Sequence, residues 1–299
     1  MHFAIAESVV GTPVAEVEIT VPLVRALLLA QHPDLAHLPI NGVDAGWDNA
    51  MFRLGEQLCV RLPRRLVAAP LIEHEQRWLP KLAPQLTLPA PIPYRIGLPS
   101  SVYPWRWSVL PWLPGAPADL AEPHAAQALR LAEFLHSLHT PAPPEAPPNR
   151  WRGVPLTNRI VEVEERMERL TTKTNLITHE LRTVWERALA APLSNQSCWL
   201  HGDLHARNVL VENGAISGII DWGDMTAGDV ATDLAALWML FADREARDVA
   251  LLAYGADEAT LQRAQGWAVL FGVMLLDSGL VDHPRHAVMG ERTLLHAIA

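Results

Sequence analysis

The stretch CWLHGDLHARNVLVENGAISGIIDWGD, residues 198–224, decides how this chain folds. It opens with a short apolar strand that runs into the tripeptide HGD, whose last residue is Asp203, and Asn208 follows five residues later. Two apolar runs then flank the turn sequence ENGA, which predicts a β-hairpin. The second run ends in Asp221. The hairpin and the loop before it therefore predict that these three polar side chains meet at one edge.

Three converging side-chain oxygens suit magnesium and phosphate chemistry. Mg²⁺ takes a few protein oxygens, and water and phosphate fill its remaining positions. In protein kinases a catalytic-loop aspartate accepts the proton of the substrate hydroxyl, while an asparagine five residues later and a further aspartate bind magnesium. The spacing of Asp203 and Asn208 matches this arrangement. We therefore expect Asp203 to be the catalytic base, and Asn208 and Asp221 to be catalytic residues that hold Mg²⁺.

These motifs resemble those of the aminoglycoside phosphotransferase family, relatives of the protein kinases that act on antibiotic hydroxyl groups. HGDLHARN followed by IDWGD carries the resemblance, and GWDNAMFRLG, CVRLPRR and GDVATDLA extend it. It implies an α+β, protein-kinase-like fold with a small β-rich N-terminal lobe and a larger, mostly helical C-terminal lobe. A connector rich in proline and glycine puts the boundary between residues 1–113 and 114–299. The resemblance also implies transfer of a γ-phosphate from ATP or GTP to a small-molecule hydroxyl, first of all on an aminoglycoside.

The resemblance further assigns the nucleotide-binding residues. The family usually carries a strand lysine that binds phosphates and pairs with a helical glutamate. The two lysines of this chain, Lys81 and Lys173, lie outside the predicted hairpin, and Arg61 occupies the expected place. Arginine can make the phosphate contact bidentately. We expect Arg61 and Glu75 to form this pair.

Two more groups of residues complete the predicted nucleotide site. The first is a turn whose backbone N–H groups cover the phosphates: Gly46, Trp47, Asp48 and Asn49. The second is a hinge between the lobes that faces adenine: Val109, Leu110 and Trp112.

Hydrophobic periodicity and turn residues predict the elements around these motifs. A helix is expected over 21–30, with Thr20 as its N-cap. A turn-rich segment at 41–49 precedes a hairpin made of 50–54 and 58–62. The proline-rich segment 141–150 predicts a surface loop.

Composition limits the partners and the location. The 24 basic and 33 acidic side chains give a formal charge of −9, which argues against nucleic acid and suits a cationic ligand. Asp224, Asp277 and Asp282 are candidates for binding substrate ammonium groups. The sequence predicts neither a secretory signal nor a membrane span. Cys59 and Cys198 lie in apolar stretches and predict buried, reduced thiols, which favours a cytoplasmic protein.

Four alternatives stay open at this stage. His201, Asp203 and His205 spell HxDxH, a spacing that can bind zinc in a metal hydrolase. The missing strand lysine leaves room for a kinase-fold protein that binds a nucleotide without transferring phosphate. The acceptor could also be a macrolide, or the sugar or amino-alcohol hydroxyl of a metabolite.

Overall fold

The computed structural model describes residues 14–45 and 48–299 of the chain. It confirms the predicted α+β fold, with a β-sheet region followed by a mostly helical region. The elements of the first region are α1 Val21–Gln31, β1 Ile40–Ala45, β2 Asn49–Leu54, β3 Leu58–Pro63, α2 Ala69–Leu82, β4 Arg95–Gly97 and β5 Trp107–Pro111. The strands form one antiparallel sheet in the order β1-β2-β3-β5-β4.

Helix α1 begins where the sequence predicts it. The side-chain oxygen of Thr20 accepts a hydrogen bond from the N–H of Leu23 at 3.4 Å, and Pro22 occupies the first turn, where its missing N–H costs nothing. Leu27 and Leu28 are buried and anchor the helix on the sheet.

Strand β1 corrects the prediction of a turn over residues 41–49. Residues 40–45 pair with β2, and the register shifts between Gly42 and Asp44. Glycine, asparagine and aspartate favour turns locally, but hydrogen bonding to an established neighbouring strand overrides that preference, and a register shift accommodates the poor strand formers. The predicted hairpin of β2 and β3 is confirmed.

The two faces of this sheet have different neighbours, because side chains alternate along a strand. Val60 and Val109 belong to a core cluster that also contains the buried residues of α1. On the other face, Gln76 of α2 donates to the hydroxyl of Ser108 at 3.0 Å, and Arg61 reaches Glu75. The face of β3 and β5 that carries polar groups therefore lies against α2.

The second region begins with a short strand and contains two small sheets among its helices. Its elements are β6 Ala116–Pro117, α3 Gln127–Leu138, α4 Ile160–Thr171, α5 His179–Ala190, β7 Cys198–Leu200, β8 Val209–Glu212, β9 Ala215–Ile219, β10 Thr226–Gly228, α6 Ala231–Leu234, α7 Ala236–Leu240, α8 Arg244–Tyr254, α9 Glu258–Asp282 and α10 Pro284–Ile298. The predicted hairpin is β8–β9. Its two turn residues, Asn213 and Gly214, both have positive φ (52° and 77°), as a tight two-residue hairpin turn requires.

Strands β7 and β10 pair with each other and close the segment that carries Asp203, Asn208 and Asp221 into a loop. Leu200 faces Thr226, and Cys198 faces Gly228. The chain between them returns to its starting point after passing through the β8–β9 hairpin. This closure holds the loop after β7 and the segment after β9 in one neighbourhood.

The hydrophobic core is divided into two clusters. One lies under the five-stranded sheet, and the larger one fills the helical region. Trp78, Leu79 and Leu82, in the second half of α2, belong to the larger cluster. Helix α2 precedes residue 113 but contacts both the sheet and the core of the helical region. The lobe boundary at residues 113–114 therefore stays a prediction.

Helix α9 is the center of the larger core. It is long and apolar enough to cross a membrane, with a mean hydropathy of 1.5 in its most apolar window, but 78% of that window is buried in the structure. Such burial is typical of a core helix. Gly272 and Gly290 allow α9 and α10 to approach closely, since a Cβ at Gly290 would lie 2.4 Å from the backbone of Leu276.

We predict that both cysteines resist alkylation in the folded protein. Cys59 and Cys198 are free and buried, and burial raises the pKa of Cys59 to about 12 and also raises the pKa of Cys198. The thiolate is the reactive form, so iodoacetamide at pH 8 should label neither residue. Mass spectrometry checks this, with the urea-unfolded chain as control, where two labels are expected. Labelling of either cysteine in the native protein at the unfolded rate would contradict its burial.

Candidate active site

The loop that carries Asp203 starts directly after β7 and is held by a buried carboxylate. The backbone N–H groups of His201 and Gly202 donate to Asp233, at 2.6 Å to Oδ2 and 2.8 Å to Oδ1. Gly202 has a φ of 85°, and a Cβ there would lie 2.5 Å from the carbonyl oxygen of Asp224. The turn therefore requires glycine.

His201 ties this loop to the end of the hairpin. Its Nδ1 accepts the N–H of Asp203 at 3.3 Å, and its Nε2 lies 3.0 Å from the carbonyl oxygen of Ile220. The ring packs on Trp222, with a centroid distance of 4.8 Å. The two contacts assign the neutral tautomer with its proton on Nε2.

Asp203 is surrounded by hydrogen-bond donors. Arg152 donates from Nη2 to Oδ1 at 2.9 Å, while His205 Nε2 and Asn208 Nδ2 each lie 3.4 Å from Oδ2. Burial raises the pKa of Asp203, but the interactions with His205 and Arg152 outweigh burial and hold that pKa well below its usual range. Asp203 is therefore an ionised acceptor at neutral pH.

Asn208 and Asp221 lie at the same edge of the β8–β9 hairpin. The carbonyl oxygen of Asn208 accepts the N–H of Ile220 at 2.9 Å, immediately before Asp221. Within the described residues, the side chain of Asn208 hydrogen-bonds only through Nδ2, to the carbonyl oxygen (2.8 Å) and Oδ2 of Asp203. Its Oδ1 is left for another ligand. Asp221 has a left-handed backbone (φ 62°), a strained conformation that recurs at functional sites, and its carboxylate is half exposed.

Arg61 joins β3 to α2 and to the segment after β9. Its Nη1 lies 2.5 Å from Oε2 of the fully buried Glu75, and its Nη2 contacts Oδ1 of Asp221. With the amide of Asn49 turned so that its oxygen faces Arg61, that oxygen accepts from Nε at 3.1 Å and from Nη2 at 2.8 Å. Burial lowers the pKa of Arg61, but the charges of Asp221 and Glu75 outweigh it and raise that pKa. The structure thus brings together Arg61, Glu75 and Asn49.

The predicted phosphate-covering turn is described in part. Gly46 and Trp47 lie outside the described residues. Asp48 forms an ion pair with Arg65, which follows β3. Contact of this turn with phosphates stays a prediction.

The three predicted hinge residues separate onto different faces. Leu110 lies on the face of the sheet that carries Cys59 and Arg61, whereas Val109 points into the core with α1. The carbonyl oxygen of Val109 accepts the N–H of Tyr94 at 2.8 Å. Side-chain alternation along β5 therefore keeps the side chain of Val109 away from that face, and contact of these hinge residues with adenine stays a prediction.

Trp112, the third hinge residue, lies just beyond β5. Its N–H donates to the carbonyl oxygen of Gln57 at 2.8 Å, and the guanidinium of Arg53 lies 4.0 Å from the centroid of its ring. Both contacts fix Trp112 on the β2–β3 hairpin. Its backbone N–H is thereby engaged within the protein.

The chain matches known proteins over most of its length. Residues 39–269 match the model of the phosphotransferase enzyme family. The chain belongs to this family. Viomycin phosphotransferase from Streptomyces vinaceus is 32% identical over 175 residues, which are 52% of this chain and 57% of that protein. The match thus spans little more than half of this relative's length.

Solved structures of phosphotransferases share the fold. The GDP complex of aminoglycoside 2'-phosphotransferase-IIIa has a TM-score of 0.64 and 18% identity, over 91% of this chain and 96% of that one. The macrolide 2'-phosphotransferase MphH from Brachybacterium faecium has a TM-score of 0.58 and 21% identity, over 91% and 97% of the two chains. At such identities, the likeness establishes the fold of this family member and not its substrate.

The HxDxH motif does not assemble a zinc site. Both ring nitrogens of His201 are engaged with backbone groups, so neither is available to bind a metal ion. In the part of the chain that the structure describes, no group of three histidine, cysteine or acidic side chains is arranged to hold a metal ion. The geometry therefore argues against the metal-hydrolase alternative.

One of the three acidic candidates for substrate binding is already engaged. Asp277 is fully buried, and its carboxylate contacts Arg166 at 3.1 Å, Arg169 at 2.7 Å and Lys173 at 3.9 Å. Because three cationic side chains already compensate the charge of this buried carboxylate, it would not attract a substrate ammonium group. The structure therefore corrects the expectation that Asp277 binds one. Asp224 lies in the same loop as Asp221, and its Oδ1 accepts from Asn149 at 2.9 Å.

Sequence reasoning missed Arg152 and Asn149, which enter the site from the proline-rich segment and its continuation. Composition describes this segment correctly as a loop, since residues 142–155 contain neither helix nor strand. The only sequence signal was the NRWRG run at its end, where polar and aromatic residues replace the prolines. Nothing local indicates that this run reaches Asp203.

We predict that Arg61→Met lowers the free energy of unfolding by about 3–5 kcal/mol, because it leaves Glu75 as a buried, uncompensated charge. Urea unfolding followed by circular dichroism measures this. Arg106→Met is the matched control. Its Nε lies 4.0 Å from Glu73 on the protein surface, and such exposed pairs contribute about 1 kcal/mol or less.

A second variant separates loss of charge pairing from loss of packing. Combining Arg61→Met with Glu75→Leu removes both buried charges and should restore part of the stability. A single Arg61→Met variant as stable as the wild type would contradict the buried pair.

Proposed function

We propose that this family member is a small-molecule kinase that transfers the γ-phosphate of ATP or GTP to a hydroxyl group, with a cationic antibiotic of the aminoglycoside type as its first candidate acceptor. The observation that carries the proposal is the convergence of Asp203, Asn208 and Asp221 at one edge, opposite the buried pair of Arg61 and Glu75. Family membership supports the reaction class. Solved fold relatives in complex with GDP, ADP or ATP support a purine nucleotide as phosphate donor.

Asp203 would act as the base. As an ionised carboxylate it can accept a hydrogen bond from the acceptor hydroxyl, orient its oxygen in line with the γ-phosphate and take the proton as the bond to phosphorus forms. Positioning accounts for most of the rate in such a reaction, because the transition state is loose. Asn208 and His201 would support this role by fixing the loop around Asp203.

Arg61 would bind the donor phosphates in place of the family's lysine. Glu75 and Asn49 accept hydrogen bonds from the guanidinium of Arg61. These contacts hold the guanidinium in one orientation before a nucleotide binds. A planar guanidinium suits two phosphate oxygens at once. Leu110 would contact the base of the nucleotide from the same face of the sheet.

The donor set also fits magnesium. The amide oxygen of Asn208 has no hydrogen-bond donor among residues 14–45 and 48–299, and Asp221 carries a half-exposed carboxylate at the same edge. Hard oxygen ligands of this kind, few in number, match the preference of Mg²⁺. When bound, the ion would neutralise charge on the phosphates. Asp221 contacts Arg61, so the carboxylate would exchange or share this partner when a cation binds.

The net charge of −9 supports a cationic acceptor. Asp224 and Asp282 remain candidates for contacts with its ammonium groups, whereas Asp277 does not.

The free, buried cysteines support a cytoplasmic enzyme. Macrolides and simple sugar or amino alcohols are the other acceptor classes, and a panel of acceptors separates them.

We predict that Asp203→Asn lowers turnover about 100-fold or more, since it removes the base, with nucleotide affinity within about twofold of wild type. Release of ADP or GDP is measured with Mg²⁺ and kanamycin, viomycin, a macrolide or an amino alcohol as acceptor, and nucleotide affinity by calorimetry. Stimulation by one class names the acceptor. Equal turnover of the wild type and Asp203→Asn would remove Asp203 from the base role. No turnover with any acceptor, together with normal nucleotide binding, would favour a binding-only kinase fold.

We also predict that Mg²⁺ strengthens nucleotide binding through Asp221. Adding Mg²⁺ should raise the affinity of the wild type for ATP or GTP at least tenfold, and Asp221→Asn should remove most of this gain, because a neutral amide binds the cation less well. Calorimetry with and without EDTA measures both. Glu186→Gln, at an exposed position of α5, is the control for loss of one negative charge. An equal magnesium effect in the Asp221 variant would exclude Asp221 as a ligand.

A further inference from the structure

The proline-rich loop between α3 and α4 places the guanidinium of Arg152 beside Asp203, the proposed base. Arg152 donates from Nη2 to Oδ1 of Asp203 at 2.9 Å, and only 13% and 20% of the two side chains are exposed. The pair lies 51 residues apart in sequence, on separate loops. The mechanism proposed above assigns no role to Arg152.

The backbone around Arg152 is anchored on both sides. On its N-terminal side, Oδ1 of Asn149 accepts the N–H groups of Trp151 at 2.8 Å and Arg152 at 3.1 Å. The amide of the same Asn149 donates to Oδ1 of Asp224 at 2.9 Å. This asparagine therefore links the turn before Arg152 to the loop after Asp221.

On its C-terminal side, Gly153 is clamped to the helical region. Its N–H donates to the hydroxyl of Thr232 at 3.2 Å, and its carbonyl oxygen accepts the N–H of Asp229 at 3.0 Å. Gly153 has a φ of 69°, and a Cβ there would lie 3.0 Å from the backbone of Gly228. The loop is thus fixed against β10 and α6 at the point where it passes Asp203.

The guanidinium itself is held in place by packing. It lies 4.9 Å from the ring centroid of Phe271 on α9, a favourable cation–π distance. Its Nε is buried and has no hydrogen-bond partner in the described residues, so the donor that remains in use is Nη2. An arginine fixed at its backbone and at its guanidinium presents that donor in one direction.

The two oxygens of Asp203 are consequently unequal. Oδ1 accepts the short bond from Arg152, while Oδ2 has two contacts of 3.4 Å, to His205 and Asn208. Engaging one carboxylate oxygen fixes the plane of the group and leaves the other oxygen for a further donor. We propose that Arg152 is a positioning residue, which holds Asp203 through Oδ1 so that Oδ2 receives the acceptor hydroxyl.

This inference rests on the proposed function, because it needs Asp203 to contact the hydroxyl. The alternative role for Arg152 is direct contact with the transferred phosphoryl group. The two roles predict different kinetic effects when Arg152 is removed. A positioning residue acts only through Asp203, so its loss has no further effect once Asp203 is removed. A phosphoryl contact acts independently, so its loss slows any variant.

The test is a kinetic double-mutant cycle with Arg152→Met and Asp203→Asn, assayed with Mg²⁺-ATP or Mg²⁺-GTP and the best acceptor from the panel. Arg152→Met should lower kcat about 10- to 100-fold, since misplacement of a reacting group by about 1 Å costs this much. The KM for the nucleotide should stay within about twofold. In the Asp203→Asn background the same substitution should change kcat by less than about threefold. Arg152→Lys should retain part of the lost activity.

Arg150→Met is the matched control, because Arg150 is an exposed arginine two residues away and it should leave kcat unchanged. Additive losses in the double variant, or a raised nucleotide KM in Arg152→Met, would overturn positioning in favour of a phosphoryl contact. Normal kcat in Arg152→Met alongside a disabled Asp203→Asn would overturn this inference alone. An active Asp203→Asn would instead overturn the proposed function.

A second measurement needs no acceptor. Thermal unfolding of the two single variants and the double variant should give melting-temperature shifts that are clearly non-additive, as residues in one ion pair do. Additive shifts would show that Arg152 does not hold Asp203 in the folded protein, and would overturn the inference whatever the acceptor.

Discussion

The contact of Arg61 with Glu75 and Asp221 constrains the whole active-site region. A buried charge is costly unless its partner stays close, so β3, α2 and the segment after β9 must remain docked on one another for the pair to be tolerated. These elements come from both the sheet and the helical region. The contact that would orient Arg61 for phosphates in the proposed function also fixes where the two regions meet.

The rest of the site follows the same principle of charge compensation. Arg152 faces Asp203, and Arg263 holds Asp229 at 2.6 Å. Asp233 contacts no arginine among the described residues and instead accepts two backbone N–H groups, with His139 3.3 Å away. Carboxylates can gather at one edge because each has its own donor, and every such donor also restricts the orientation of its acid. The same contacts therefore compensate the charge of each carboxylate and fix its orientation.

Sequence reasoning succeeded where a function depends on residues close together along the chain. The spacing of Asp203 and Asn208 and the hairpin that ends at Asp221 are local, so their convergence could be predicted. Strand β1 was missed because its poor strand formers are held by pairing with β2, and Arg152 was missed because a loop reaches its target only in the folded protein. Tertiary contacts, which leave no local pattern, decide both.

Net charge describes the overall field of the protein but not the local field beside Asp203, for a related reason. The chain has 33 acidic side chains, but folding assigns several of them to arginines in the interior. Asp277 is enclosed by three cations, and Asp203 itself has an arginine on one oxygen. The charge beside Oδ1 of Asp203 is therefore a guanidinium and not part of the acidic excess. The fit of an acceptor should depend on where its ammonium groups lie relative to the reactive hydroxyl, because Arg152 offsets part of the attraction that Asp203 would exert on a nearby ammonium group.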